Sequence, residues 1–229
     1  MKLSKVQWDY ELCEAVKAGN RSTVIAALAR GQSPDTLDRF KVPALSLAAF
    51  HGNISIVKLL LERDASVDLQ ASAGSSTALM YACENNHLEI VQLLIANRAS
   101  VDRRNSRGAT AMHLAMHGRD QERTIAILNC LIEARADIDA LDTSRARCPP
   151  LTWAASNKLR NVVAYLLSAG ARLKPPSCEL SAFELMPDAV KEGVRRLRAT
   201  LLPALEPHLS RNVAGIVLDY FVDVLPRGD

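Results

Sequence analysis

One phrase written five times constrains this chain more than any feature of its composition. An apolar residue recurs at Leu12, Leu45, Leu79, Met112 and Leu151, at steps of 33, 34, 33 and 39 residues. Three places after each stands an alanine: Ala15, Ala48, Ala82, Ala115 and Ala154. Aliphatic runs follow, as in Ile56-Val57-Lys58-Leu59-Leu60-Leu61, Ile90-Val91-Gln92-Leu93-Leu94-Ile95 and Val162-Val163-Ala164-Tyr165-Leu166-Leu167. Copies close on a small, acidic patch such as Ala65-Ser66-Val67-Asp68, Ala99-Ser100-Val101-Asp102 or Ala136-Asp137-Ile138-Asp139. A period of this length marks a solenoid, because one such unit is too thin to bury its own apolar face and must share a core with its neighbours.

Each copy predicts two short helices joined by a tight turn. Gly19 and Gly52 occupy that turn in the first two copies; Asn86 and Lys158 stand there later. A left-handed backbone costs glycine nothing, asparagine a little and lysine more. The fourth copy carries about four extra residues around Gly118-Arg119-Asp120-Gln121-Glu122-Arg123, predicting a longer inter-helix turn. Asn20 and Asn53 fall where second helices begin and are expected to cap them, although both also match a glycosylation sequon. Polar stretches between copies, Asp35–Lys41, Arg103–Gly108 and Asp142–Arg147, predict β-hairpin fingers, with Gly108 at a positive φ.

The wording of the copies resembles the ankyrin-repeat family. Thr110-Ala111-Met112-His113-Leu114-Ala115 and Pro149-Pro150-Leu151-Thr152-Trp153-Ala154 approximate that family's T-P-L-H-x-A phrase, and Thr77-Ala78-Leu79-Met80-Tyr81-Ala82 is a looser copy. The resemblance spans about residues 8–174 and implies an all-α ankyrin-repeat solenoid of five repeats with short hairpin fingers. The repeats run from Trp8 to Asp35, Asp38 to Gln70, Ser72 to Arg103, Asn105 to Leu141 and Ser144 to Lys174, behind a short leader at residues 1–7. The first repeat's helix, Glu11–Lys17, is polar enough to serve as a terminal cap.

Composition narrows the class. Nearly half of the 229 residues are apolar but only 4% are aromatic, so alanine and leucine do the packing. No apolar run reaches 18 residues, and Met1–Tyr10 lacks the apolar stretch of a secretory signal. The expectation is a monomeric cytoplasmic or nuclear protein without membrane association. Five cysteines (Cys13, Cys83, Cys130, Cys148, Cys178) form no C-x-x-C pair and are expected to be reduced packing residues. The net charge of +3 is uneven: residues 1–97 carry −1, residues 98–174 carry +6 and residues 175–229 carry −2.

Catalytic motifs are not found: no phosphate-binding glycine loop, no nucleophile elbow and no paired carboxylates. His113 and His117 have the four-residue spacing that can share a metal, but Leu114 stands where a zinc-protease motif needs Glu. His113 falls on the family's structural histidine and is expected to bond backbone between repeats. Trp153 shares the phase of Leu47, Tyr81 and Leu114 and is expected in the core. No catalytic residue, metal ligand or cofactor is therefore assigned, and the function expected is a non-catalytic protein-interaction scaffold.

The resemblance implies that partners bind on finger tips and on the concave side of the first helices. By phase those positions are Arg39, Phe40 and Val42 on one finger, Ser75 and Ser76 on the next, and Arg104, Ser106, Arg107 and Ala109 on a third. On the helices they are Phe50, His51, Glu84, Asn85, His117, Ser156 and Asn157. Phe50 is the expected apolar anchor. Arg103, Arg104, Arg107, Arg145 and Arg147 suit an acidic protein surface, since guanidinium pairs bidentately with carboxylates. Without aromatic interleaving or a long basic run, nucleic acid is disfavoured.

Beyond Pro175-Pro176 the wording stops. Val190, Val194, Leu197 and Leu201, then Val213, Ile216, Val217, Tyr220, Phe221 and Val224, form two helical stripes, read as a carboxy-terminal helical cap over residues 175–229. An alternative rests on Leu202-Pro203-Ala204-Leu205 and Val213–Phe221, which are similar to a phrase of F-box modules. That would make the chain a ubiquitin-ligase substrate receptor whose tail docks an adaptor.

Overall fold

The structure is a computed structural model that describes residues 5–70, 76–145 and 147–172. The expected tail over 175–229, with its cap and F-box-like readings, lies outside the described residues. Ten helices are described: α1 (Lys5–Lys17), α2 (Arg21–Ala29), α3 (Ala44–Phe50), α4 (Ile54–Leu61), α5 (Ala78–Glu84), α6 (Leu88–Ala96), α7 (Ala111–Ala115), α8 (Gln121–Glu133), α9 (Pro150–Ser156) and α10 (Arg160–Ser168). The described residues fall into two compact units, α1–α8 with Asp142–Ser144, and α9–α10 with Ile138–Leu141 and the described residues between 145 and 172.

The first unit is an all-α repeat solenoid of two layers. First helices α1, α3, α5 and α7 stack in one layer, and second helices α2, α4, α6 and α8 in the other. An inner first helix is pressed from both sides and from its own second helix, so α3 buries every residue from Ala44 to Ala49. Ala48, Ala82 and Ala115 are fully buried, which explains the invariant small residue: a larger side chain would hold the stacked helices apart. Second helices bury one face only, as in Ile56, Val57, Leu59 and Leu60 of α4. Each such leucine stabilises the fold by about 1.5–3 kcal/mol.

Two backbone devices repeat. Every second helix ends on a left-handed residue: Gly31, Asp64, Arg98, Arg135 and Gly170, with φ between 61° and 95°. The next residue's amide reaches back to close the turn, as Ala65 N to Leu60 O at 3.0 Å and Ala99 N to Leu94 O at 3.0 Å. The acidic patch then ties repeat to repeat. Asp35 accepts from Ser66 N (2.7 Å) and Ser66 Oγ (2.6 Å), and Asp68 from Ser100 N (3.0 Å) and Ser100 Oγ (2.5 Å). Asp102 accepts from Asp137 N at 2.9 Å. Within the second unit, where α9 packs on α10, Asp139 accepts from Arg172 N at 2.9 Å.

Several expectations are corrected. The fingers are tight turns: among the described residues there is no strand, only an antiparallel bridge between Leu37 and Pro43. Their heads use a carboxylate or amide in place of a ladder. Asp38 Oδ1 accepts from Phe40 N (2.8 Å) and Val42 N (2.9 Å), and Asn105 Oδ1 accepts from Arg107 N and Ala109 N, both at 3.0 Å. Gly108 does take a positive φ, 67°, as expected, and Lys41 takes 59° at the same place in its own finger. The extra residues of repeat four lengthen a helix and do not simply widen a turn. The turn grows from three residues to five while α7 shortens from seven to five, and α8 runs to thirteen residues against nine in α6. Asp120 caps α8, accepting from Glu122 N (3.1 Å) and Arg123 N (3.2 Å). Gly118 is needed in that turn because a Cβ there would meet Asn86 Nδ2 at 2.5 Å and Thr124 Oγ1 at 2.6 Å.

Helix α1 starts at Lys5, inside the stretch expected as a leader. Asn20 caps α2 through Thr23 N at 3.1 Å, but Asn53 makes no cap bond. Its Nδ2 donates across the repeat boundary to Val16 O at 2.9 Å, because the carbonyl of the preceding first helix lies within its reach. Asn86 and Lys158 both hold the left-handed turn, each at φ 59°.

Candidate functional site

A row of residues at one phase runs along the carboxy-terminal ends of the first helices. The first three are the last residues of α1, α3 and α5, and the fourth lies two residues past the end of α7. Lys17, Phe50, Glu84 and His117 stand five residues after Leu12, Leu45, Leu79 and Met112. His51 and Asn85 are the C-caps of α3 and α5. Phe50 packs edge-on against His51, with ring centroids 5.1 Å apart, and against Tyr81 at 5.7 Å. Burial, together with the charges of Glu84 and Asp38, raises the Tyr81 phenol above its ordinary value. Glu84 Oε1 lies 3.4 Å from His117 Nδ1, and Asn85 Nδ2 donates to Tyr81 O at 3.0 Å.

Glu84, Asn85 and His117, expected only as separate positions, line one shallow depression of about 470 Å³ with Arg119, Asp120 and Arg123. It is open and polar, with both charge signs. Such a surface suits side chains of a partner better than an enclosed small molecule.

At the row's other end Lys17 joins a finger to a helix. Its Nζ lies 2.9 Å from Asp38 Oδ2 and 3.0 Å from Glu14 Oε1. Burial opposes ionisation of Asp38. The Val42 amide, Lys17 and the Phe40 amide outweigh it and hold the carboxyl below its ordinary pKa. Burial likewise opposes the charge on Lys17, but its bonds to Asp38 and Glu14 raise its pKa overall. This pair fixes the turn that presents Arg39 and Phe40. Phe40 is 69% exposed, with the Arg39 guanidinium 4.8 Å above its ring centroid. Phe50 is 43% exposed, and these two are the large apolar side chains left in solvent among the described residues.

On the finger between α6 and α7, Arg103, Arg104, Ser106 and Arg107 are exposed around the buried Asn105. Arg104 Nη1 donates to Gly108 O at 3.3 Å, and Arg104 O accepts from Gln70 Nε2 at 3.1 Å. The second unit carries Arg145 and Arg147, both exposed, and Asn157 as the exposed C-cap of α9. Ser75 lies outside the described residues; Ser76 and Val42 are half-buried, and Ala109, expected on the surface, is fully buried because its amide closes the turn on Asn105 Oδ1.

The histidine pair does not converge. His113 is fully buried, with Nδ1 3.2 Å from Thr110 N and 3.0 Å from Thr110 Oγ1, inside its own helix cap. His117 faces Glu84 instead. No cluster of three metal-ligating side chains occurs among the described residues. Cys13, Cys83 and Cys148 are buried and Cys130 half-buried, and burial pushes the Cys83 thiol up, away from reactivity. No described helix is long and apolar enough to cross a membrane.

Lys17 and Tyr81 were not among the residues expected here. Lys17 was legible by phase, being the first repeat's counterpart of Phe50. Tyr81 was hidden because its phase is a core phase in two other repeats, filled by Leu47 and Leu114, although Trp153, expected in the core at that phase, is only half-buried. The larger Tyr81 ring extends from that position to Phe50.

Compared with protein-family models, residues 12–105 match ankyrin repeats in three copies, and residues 79–132 match ankyrin repeats in many copies. Together the two matches cover just over half of the chain. No curated protein matches it.

Proposed function

Because this chain belongs to the ankyrin-repeat family, whose repeats are protein-interaction modules, we propose that it is a non-catalytic adaptor that grips an acidic partner protein with the face built by the first unit's fingers and first-helix ends. The exposed aromatics carry the reading. Folding normally hides large apolar side chains, yet Phe40 stays in solvent beside the Arg39 guanidinium, and Phe50 stays part-exposed against His51 and Tyr81. An aromatic on a rigid element, next to arginine, is the composition of a binding hot spot. Arg39 and Lys41 on one finger and Arg103, Arg104 and Arg107 on another supply the field that draws an acidic surface. Asp38, the carboxylate at the first of these fingers, is already committed to Lys17 and two amides. Glu84, Asn85 and His117 give mixed polar contacts on this face; Arg145 and Asn157, exposed on the second unit, are candidates by themselves.

A cross-linking experiment tests the face. Photo-reactive residues placed at Phe40 or Arg107 should cross-link captured partner, and the same residue at Lys58, on an exposed second-helix position, should not. Cross-linking from Lys58 alone would move the interface to the other layer.

A further inference from the structure

One finger carries a chemical signature that partner binding does not use up. Residues 103–106 read Arg-Arg-Asn-Ser, two arginines three and two places ahead of a hydroxyl. Arg103, Arg104, Ser106 and Arg107 are all exposed. Ser106 is the second residue of a turn closed by Gly108 N to Asn105 O at 2.8 Å, so its side chain stands at the apex. Protein kinases that select basic substrates read such arginines through carboxylates in their cleft, by charge-assisted, often bidentate hydrogen bonds.

Other serines with a nearby upstream arginine are already committed. Ser66 follows Arg63 by three residues, but its hydroxyl donates to Asp35 at 2.6 Å. Ser100 follows Arg98 by two, and its hydroxyl is held by Asp68 at 2.5 Å. Ser33 follows Arg30 by three, but Arg30 is paired with Glu11 at 2.9 Å. Phosphorylating Ser66 or Ser100 would break the ties between repeats; phosphorylating Ser106 would break none of them.

We infer that Ser106 is a phosphorylation site for an arginine-directed protein kinase, and that its phosphate switches off the basic finger. In the transfer, Ser106 Oγ attacks the γ-phosphorus of magnesium-bound ATP and the bond to the β–γ bridging oxygen breaks. ADP leaves, and the hydroxyl proton passes to the kinase's catalytic aspartate. The product adds about −1.5 to −2 charges beside three guanidinium groups, which lowers the finger's charge from +3 to roughly +1. A kinase cleft binds its substrate extended, so the turn held by Asn105 must open first. The bonds from Arg107 N and Ala109 N to Asn105 Oδ1 resist that opening, together with Gly108 N to Asn105 O, Gln70 Nε2 to Arg104 O and Thr143 N to Arg107 O.

The site itself needs no partner, while the switch rests on the acidic-partner reading. The full chain is treated with the catalytic subunit of a cyclic-AMP-dependent protein kinase and magnesium ATP, and the phosphate is located by fragment mass spectrometry. One phosphate per chain on Ser106 is expected. The rate should fall at least about tenfold in the Arg103→Gln/Arg104→Gln double variant and rise several-fold in Asn105→Ala. Phosphate mainly on another hydroxyl, no incorporation, or a rate indifferent to the two arginines overturns the site. Binding of fluorescent polyglutamate at low salt is then compared before and after treatment, with Ser106→Ala treated in parallel. The dissociation constant should rise about tenfold in the wild type alone. Equal affinity overturns the switch. Failure of the untreated protein to bind polyglutamate overturns the acidic-partner reading and the switch together, and leaves the site to be decided by the labelling.

Discussion

Asp64, Arg98 and Arg135 carry a backbone cost that Gly31 and Gly170 do not. All five hold positive φ at the ends of second helices, where a Cβ is disfavoured by about 1–2 kcal/mol. Replacing Arg98, which is exposed, with glycine should stabilise the fold by about 0.5–1 kcal/mol, after allowing for glycine's freer unfolded chain. A thermal melt of Arg98→Gly checks this; a lower midpoint would contradict it. Asp38 offers a second test, because its two oxygens do separate jobs. Asp38→Asn can keep the turn, as Asn105 does, while losing the ion pair to Lys17; Asp38→Ala loses both. The alanine variant should therefore be the less stable of the two, by about 1–3 kcal/mol for the stranded amides. The sign with pH follows from the lowered pKa of Asp38. Its ionised form contributes stability above its ordinary value of 3.8, and that contribution is lost as pH falls through the lower folded value. The gap between wild type and Asp38→Asn should be flat near neutrality and close on acidification, as urea midpoints at about pH 7 and about pH 3 would show. A gap that persists unchanged in acid would mean that the carboxylate charge is not what matters.

At the scale of elements, the sequence showed period and phase and hid connections. Helix pairs, buried alanines and left-handed turns at Asn86 and Lys158 were legible because each follows from one residue's local preference or its place in the period. The four extra residues of repeat four were visible as a number but not as a location. Their fate depends on Asp120 capping a longer α8 and on Gly118 fitting beside Asn86 and Thr124, which are contacts between distant residues. The acidic patches were likewise visible as pattern, yet their use, tying Asp35 to Ser66 and Asp68 to Ser100, needs the neighbouring repeat in place. A graded set of variants follows. Leu94→Ala should cost roughly 2–5 kcal/mol, since Leu94 is fully buried between helices. Asp68→Ala should cost about 1–2 kcal/mol for the lost half-exposed bonds to Ser100. Arg107→Ala should lie within about 0.5 kcal/mol of wild type. Denaturant unfolding ranks them, and a different order would mean that the layers have been assigned wrongly.

For the whole molecule, the proposed binding face is a property of register. Phase alone placed Phe50, Glu84 and His117 at the ends of first helices, and the fold turned those positions into the Phe50–Tyr81 contact and the Glu84–His117 depression. Phase could not say that Phe40 would stay exposed under Arg39, or that Lys17 would hold their finger, because both depend on side-chain geometry across a repeat boundary. Two classes of residue on this proposed face act on different rates. Exposed arginines steer the encounter and so act on association, most strongly at low salt. A desolvated aromatic holds the formed complex and acts on dissociation. The most direct test is the binding kinetics of the captured partner at about 50 mM and about 300 mM salt, for wild type, Arg104→Glu/Arg107→Glu and Phe50→Ala, with random oligonucleotides in parallel. The arginine variant should associate more slowly, with the deficit shrinking at high salt, and the phenylalanine variant should dissociate at least about tenfold faster. Kinetics unchanged in both variants, or tight salt-sensitive binding of any oligonucleotide, would contradict an acidic-protein interface on this face.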